Sequence, residues 1–418
     1  MTPQAPLAGL RVLDFGQYIA APGAGQNLAD LGADVIKVEG PGGDQARHIG
    51  AFGEAMVLAN NRGKRSIAVD LRTAGGAAVL RDLLGTADAV LHNFRHGVDR
   101  RLGLDPATLL AAHPRLVCGT VTGFGTRGPS ATRVGLDIAA QAEFGVMELT
   151  GEPDGPPQRV GFAVADVLAA QALTSGVLAA LLARERTGCG THVETSLMEA
   201  MVHAQSSTWV ERRLSGTEPT RRGNGQALAA PAADLVRTGD GGWIVLSAYL
   251  PAKFRALCEA IGRPELPDDP RFATNDARVR NRPALLAALH DALGRRTRPE
   301  ALRLLREAGV VSGAVRRFAE LVDDADLAAS GLITAVGGDG RTAYTAPGAP
   351  FSLGGERHPC GRPAPAAGEH TRELLAELGR PPAEIGGLLR SGAVAAPGAA
   401  EAAESAAEPA ESAAASTE

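Results

Sequence analysis

The chain has 418 residues, of which 44% are hydrophobic and 4% aromatic, and its formal net charge is −5. The Glu residues at 401, 404, 408, 411 and 418, in a stretch without Lys or Arg, account for all of that charge. The remaining body is neutral and carries no global signature of nucleic-acid or membrane-surface binding. Length allows two domains or more. Cys118, Cys189, Cys258 and Cys360 are widely spaced and form no C-x-x-C pair, which argues against zinc and redox motifs. The N-terminal segment MTPQAPLAGLRVLDF lacks a basic region followed by an apolar stretch, and no run long and apolar enough to span a membrane is expected. A soluble, cytoplasmic protein with no nucleic-acid or membrane partner is the expectation.

Residues 10–15 (LRVLDF) read as a strand and 23–31 as a helix. Residues 34–38 (DVIKV) and 66–70 (SIAVD) read as further strands, followed by a helix over 75–84. Strands at 89–91 and 116–121 continue the alternation. Strands alternating with helices predict an α/β fold with a parallel sheet, whose ligands sit at the carboxyl ends of the strands. The Gly-, Pro- and Arg-rich stretch 210–235 reads as a linker or long loop. A strand at 243–248 and a mostly helical 250–310 follow, then loops, a short apolar stretch at 350–353 and a helix at 371–378. These features divide the chain into an N-terminal part of a large domain (1–210), a linker and small domain (211–320), and a return to the large domain (321–392). Residues 393–418 form an Ala/Glu-rich tail with too little apolar surface to fold, expected to be disordered.

The segment 158–188 (QRVGFAVADVLAAQALTSGVLAALLARERTG) is the most informative. An extended apolar run over 160–164 is expected to give way to a helix. Leu173, Val177 and Leu181 recur every four residues, with Leu178 and Leu182 beside them, which makes one apolar face. Gly188 after Arg184 and Arg186 predicts the helix end. Asp166 therefore sits near a helix N-terminus. Local sequence leaves two readings open for it: a helix cap or a carboxylate nucleophile.

Other motifs carry less. GFGTRG at 123–128 matches G-x-G-x-x-G after a strand, but Pro129 and Ser130 follow where a dinucleotide site needs a helix. A glycine loop shaping a pocket fits better. Lys37, Lys64, Arg65, Arg72, Arg101 and Arg133 lie near strand ends and could hold a phosphorylated ligand, or form an ordinary solvated surface. His92 and His96 are four apart but flank a predicted turn, and no third ligand has suitable spacing, so no metal site is assigned. Neither a nucleophile elbow nor a Cys–His pairing is evident.

Several motifs in order then resemble one family. They are PLAGLRVLDFGQYIAAPGAGQNLADLGADVIKVEGPGGD at the start, NRGKRSIAVDL (61–71), HNFRHGVDRRLGLD (92–105) and PRLVCGTVTGFGTRGP (114–129). GLDIAAQAEFGVMELTGEPDGPP (135–157), the Asp166 segment, DDPRF (268–272) and GEHTRELLAELG (368–379) complete the series. Over residues 6–390 the chain resembles the class III coenzyme A transferases, which include formyl-CoA and crotonobetainyl-CoA transferases. The resemblance implies a Rossmann-like large domain built from both chain ends, a small middle domain, and a homodimer whose ring-like subunits interlock. It implies that Asp166 is the nucleophile. It also implies that Leu71 and Arg72 meet the nucleotide end of coenzyme A, and that Asn93, Phe94, Arg101 and Arg133 line its path. Gln17 and Tyr18 would approach the acyl group, and the loop of Gly223, Asn224 and Gly225 resembles a mobile lid. The substrates implied are an acyl-CoA and a carboxylic acid, with no tightly bound cofactor. The same superfamily holds α-methylacyl-CoA racemases, which use a His–Glu couple. Here Leu136 precedes Asp137 and Leu250 precedes Pro251, so that imidazole is missing. Transfer is the expected activity and racemisation the alternative.

Overall fold

The computed structural model describes residues 5–337, 343–357 and 361–397. It resolves into two compact units. Of the described residues, 5–144, 161–206 and those from 327 onward form the first, and 145–160 with 207–326 the second. The segment 145–160, kept with the N-terminal part on sequence grounds, thus clusters with the second unit, as do residues 321–326.

The first unit is built on a mixed seven-stranded sheet. Its strands are β1 (Arg11–Asp14), β2 (Asp34–Glu39), β3 (Arg65–Val69), β4 (Ala89–His92), β5 (Val117–Thr122) and β6 (His192–Ser196), joined from the chain's far end by β12 (Val394–Ala395). The spatial order is β12-β3-β2-β1-β4-β5-β6. β1 to β6 are parallel and β12 runs antiparallel to β3 at the edge. The order 3-2-1-4-5-6 is that of doubly wound nucleotide-binding sheets. Parallel strands covered on both faces read as unbroken apolar runs rather than as alternation. β3 and β4 are buried at every position. Leu13, Ile36, Ile67 and Val90 from four neighbouring strands meet Val79 and Leu83 of the Ala74–Leu84 helix in one core.

The C-terminal part completes that core. The Thr371–Glu377 helix contributes Leu374 and Leu375. Arg65 ties it down through Asp34, Glu373 and Glu377 at 2.7, 2.8 and 2.5 Å. β12 corrects the expected start of the tail at 393. Ala393 and Val394 are buried, Val394 pairs opposite Val69, and the Asp70 N–H donates to Ala393 O at 2.9 Å. A two-residue strand that closes an open sheet edge leaves no compositional trace. Residues 398–418 of the expected tail lie outside the described residues.

The longest helix, Val164–Thr187, crosses between β5 and β6. It ends where expected, on Gly188 at φ 73°, whose N–H donates to Arg184 O. No strand precedes it: Gly161 and Phe162 are exposed and irregular, so the extended run expected over 160–164 is absent. By length and composition this helix could cross a membrane, contrary to the sequence expectation. Its buried residues, among them Ala169, Leu173, Val177 and Leu181, belong to a helix that packs on β5, β6 and the Ala20–Asp30 helix, as a core helix does.

In the second unit, β7 (Asp234–Arg237), β8 (Trp243–Ser247) and β9 (Val311–Ala314) form an antiparallel sheet. The helices Pro251–Ala260, Arg282–Leu293 and Arg298–Glu307 cover it through Phe254, Leu257, Leu289 and Leu305. β10 (Ile333–Val336) and β11 (Tyr344–Pro347) make a separate antiparallel pair in the first unit.

Candidate active site

Because β1 to β6 are parallel, the loops leaving their carboxyl ends open on one edge of the sheet. Chain order reverses between β1 and β4, and the crevice outside such a reversal is where α/β sheets bind ligands. Two of the predicted segments meet there. The Asn93 side chain accepts from Gln17 N–H and donates to Gln17 O, both at 2.8 Å. Tyr18 is held at φ 63°, a left-handed conformation that costs a residue with a Cβ. Its N–H donates to Asp44 Oδ1 at 3.3 Å and its hydroxyl to Gln45 Oε1 at 2.8 Å. The fully buried Lys37 donates to Gly16 O and to Asp44 Oδ2. Next to it, Lys64 donates to Asp14 Oδ2 at 2.6 Å, to Pro22 O and to Asn61 Oδ1. Burial brings the Lys64 ammonium down to about 8. Lys37, Lys64 and Arg65, candidates for phosphate contact on sequence grounds, are therefore consumed in structural ion pairs.

Asp166 is the third residue of the Val164–Thr187 helix. Arg184 near the far end of this helix pairs with Asp88, just before β4, so the helix runs back along the sheet and its N-terminus lies at the same carboxyl edge. The close approach of Gly23 to Ala170, where a Cβ on Gly23 would lie 3.1 Å from that of Ala170, sets the first turn of the Ala20–Asp30 helix beside the second turn of this one. Asn27 Nδ2 donates to Thr174 Oγ1 at 3.0 Å one turn further on.

Asp166 is not the cap that its position allows. Ala163 is the N-cap and offers no side-chain acceptor. Asp137 does that work from a neighbouring helix (Asp137–Glu143). Its Oδ1 accepts from Ala165 N–H at 2.8 Å and its Oδ2 from Gln141 Nε2 at 2.7 Å. Gln141 Nε2 also reaches Phe162 O at 3.4 Å. The Asp137 helix is placed by backbone contact, since a Cβ on Gly123 would lie 2.5 Å from Gly135 Cα. That is the structural use of the glycine loop at 123–128, and no helix follows it directly.

Among the described residues no hydrogen bond reaches the Asp166 carboxyl. It is half-buried, and burial followed by the negative charge of Asp137 raises it to about 7. A half-buried carboxylate with no bonded partner and a pKa near neutrality is a candidate reactive group. Asp137 is the residue that sequence reasoning missed. The signal was present as an acidic first residue of a helix with Gln four positions on, but its contact to Ala165 spans 28 positions.

The other predicted residues fall as follows. Leu71 packs partly buried at the end of β3, and Arg72 beside it is exposed and paired with Asp70 at 2.8 Å. Phe94 stacks on His92 with ring centroids 4.9 Å apart and lies 6.3 Å from Phe15. Arg101 is exposed on the short helix Val98–Arg101. All four follow β3 or β4 at the carboxyl edge. Arg133 sits 4.3 Å over the Phe124 ring and forms a two-pronged pair with Glu143 at 2.9 and 2.6 Å. Gly223 and Gly225 belong to the second unit. Gly223 N–H donates to Gly151 O at 3.0 Å, and Arg221 pairs with Glu148 at 2.7 Å. A Cβ on Gly225 would collide with the Arg282 guanidinium, itself bonded to Asp234 and Gln226 O. A cavity of about 600 Å³ in the same unit, walled by Leu228, Val245, Tyr249 and Ser312, has Glu211 as its one carboxylate. Nothing there matches the charge arrangement at Asp166.

Comparison with known proteins agrees with this architecture. The family model "CoA-transferase family III" matches residues 7–371. The chain is 38% identical over 389 residues to a protein named "Probable fatty acyl-CoA transferase" from Mycobacterium tuberculosis, covering 90% of this chain and 98% of that one. It is 36% identical to a succinate–glutarate CoA-transferase of Agrobacterium fabrum, with 89% and 96% covered. The crystal structure of a CaiB/BaiF family protein from Brucella suis superposes with a TM-score of 0.80 at 36% identity, covering 90% of this chain and all of that one. With the doubly wound sheet and an almost full-length match in hand, the chain belongs to the family III CoA-transferases, enzymes that move coenzyme A between acyl-CoA and acid substrates.

Proposed function

We propose that this enzyme transfers coenzyme A by covalent catalysis at Asp166. The observation that carries the reading is the division of labour between the two aspartates: Asp137 caps the helix, and Asp166 is left without a bonded partner beside it. In the deprotonated form, Asp166 attacks the thioester carbonyl of the donor. The C–S bond breaks, coenzyme A leaves as thiolate, and a mixed anhydride forms. The thiolate then attacks the aspartyl carbonyl, releasing the donor's acid as carboxylate and leaving an aspartyl–CoA thioester. The acceptor carboxylate attacks that thioester and forms a second anhydride. The thiolate closes the cycle on the acceptor's carbonyl, so new acyl-CoA leaves and Asp166 is regenerated. Dividing one exchange into reversible acyl transfers in this way lowers each barrier.

Coenzyme A would run along the carboxyl edge past Leu71, Arg72, Asn93, Phe94, Arg101 and Arg133. Arg133 would exchange its Glu143 partner for the ligand. The backbone of Gln17 and Tyr18, held by Asn93 and Asp44, would face the acyl end. The working form would be a homodimer in the cytoplasm. The relatives' names point to fatty acyl thioesters in one case and to succinate and glutarate in the other.

Replacing Asp166 by Ala should abolish transfer while coenzyme A still binds. Racemisation instead needs a second base opposite the α-carbon, and Leu136 stands where a His would be. In deuterated water the substrate's α-proton should therefore be retained during turnover. Exchange of that proton without CoA transfer would establish the isomerase.

A further inference from the structure

The surroundings of Asp166 carry a chemical preference of their own. Two strands of chain meet there, tied by the bond from Ala165 to Asp137 and by the contact of Gln141 with Phe162 O. Along them, large apolar side chains flank both carboxylates and face solvent. Val134, Leu136 and Ile138 lie on the segment of Asp137, and Phe162 and Val167 on that of Asp166, with exposures from 41% to 60%. Single exposed apolar residues are ordinary, but five along two joined segments next to a reactive group are a patch. The charge pattern points the same way. The group acting on Asp166 is another carboxylate, and no cation contributes. Of the basic residues on these two segments, Arg133 is already neutralised by Glu143 and stacked on Phe124, and Arg159 turns back to donate to Val160 O.

An acyl group ending in a second carboxylate would need a cation at its far end, bound by charge-assisted hydrogen bonds. Here it would meet hydrocarbon and the like charge of Asp137, and desolvating an unpaired carboxylate is costly. We infer that the acyl group handled beside Asp166 is apolar and uncharged, an aliphatic or aryl acyl chain, and not that of a dicarboxylic acid. The inference rests on Asp166 being the covalent group.

Chain-matched thioesters test it: butanoyl-CoA against succinyl-CoA, and hexanoyl-CoA against adipoyl-CoA. Each is scored both by kcat/KM and by labelling of Asp166 with coenzyme A. The uncharged member of each pair should be favoured by about 100-fold, the discrimination expected when one buried charge lacks its partner. Phe162→Ser should reduce the preference for hexanoyl over butanoyl and leave the sedimentation coefficient unchanged. Equal use of the charged and uncharged members, with Asp166 labelled by both, would overturn the inference alone. Failure of every thioester to label Asp166 would overturn the nucleophile reading and this inference with it. A changed sedimentation coefficient in Phe162→Ser with unaltered chain-length preference would assign the patch to a subunit interface and contradict the inference as well.

Discussion

At the scale of single residues, the account turns on the contrast between two aspartates. Asp137 spends both oxygens on hydrogen bonds, and Asp166 spends neither. The consequence for stability has a definite sign. In the unfolded chain Asp166 titrates near its ordinary value of 3.8, and in the folded protein near 7. The folded state therefore holds an extra proton between those values, and stability falls as pH rises from about 4 to about 7. Asp166→Asn removes the titration. Its melting temperature relative to the parent should be unchanged at pH 4 and higher at pH 8, with the difference developing between about pH 4 and pH 7 and level above that. The carboxylate is also the attacking form, so kcat/KM for transfer should rise over the same interval. Asp137→Asn, which removes the like charge, should move that rise to lower pH. A melting difference that is flat with pH would mean that Asp166 is an ordinary solvated carboxylate.

At the scale of elements, the helix start near Asp166 was legible because the apolar repeat and the Arg–Gly ending are local. Its cap was not legible, because Asp137 arrives from another helix. The turn after β1 shows the same limit. Gln17 and Tyr18 are named only through the family resemblance, and what fixes them is remote: Asn93 on one side, Lys37 and Asp44 on the other. From spacing alone Lys37 resembled a phosphate-binding cation. Its place inside β2, with neighbours on both sides of the sheet, buries it and makes Asp44 its necessary counter-ion. Lys37→Met would keep the side chain's length while leaving the 1%-exposed Asp44 carboxylate unpaired. Breaking one side of a buried pair costs about 3–5 kcal/mol. Urea unfolding should show a loss of that order, and a loss below about 1 kcal/mol, the range of exposed pairs, would contradict the clamp.

At the scale of the whole molecule, strand–helix alternation was enough to anticipate a parallel sheet and the edge where its ligands sit. Each strand is a short apolar run covered by a following helix, a pattern that survives without knowledge of contacts. The path of the chain between units was harder to read. Residues 145–160 lie in sequence between the helices carrying Asp137 and Asp166, yet they cluster with the second unit. Gly151 and Glu148 bond there to Gly223 and Arg221, pairings over about 70 positions that no local pattern encodes. β12 was missed for a different reason, since its two residues interrupt an Ala-rich stretch with a single Val.

The most direct measurement is intact-mass analysis of the purified enzyme after brief incubation with acyl-CoA thioesters and no acceptor acid, with peptide mapping of any adduct. The account predicts one hydroxylamine-sensitive coenzyme A adduct per chain, located on Asp166, absent in Asp166→Ala and formed faster at pH 8 than at pH 5. Turnover in the presence of an acceptor without any such adduct, or an adduct on another residue, would contradict it.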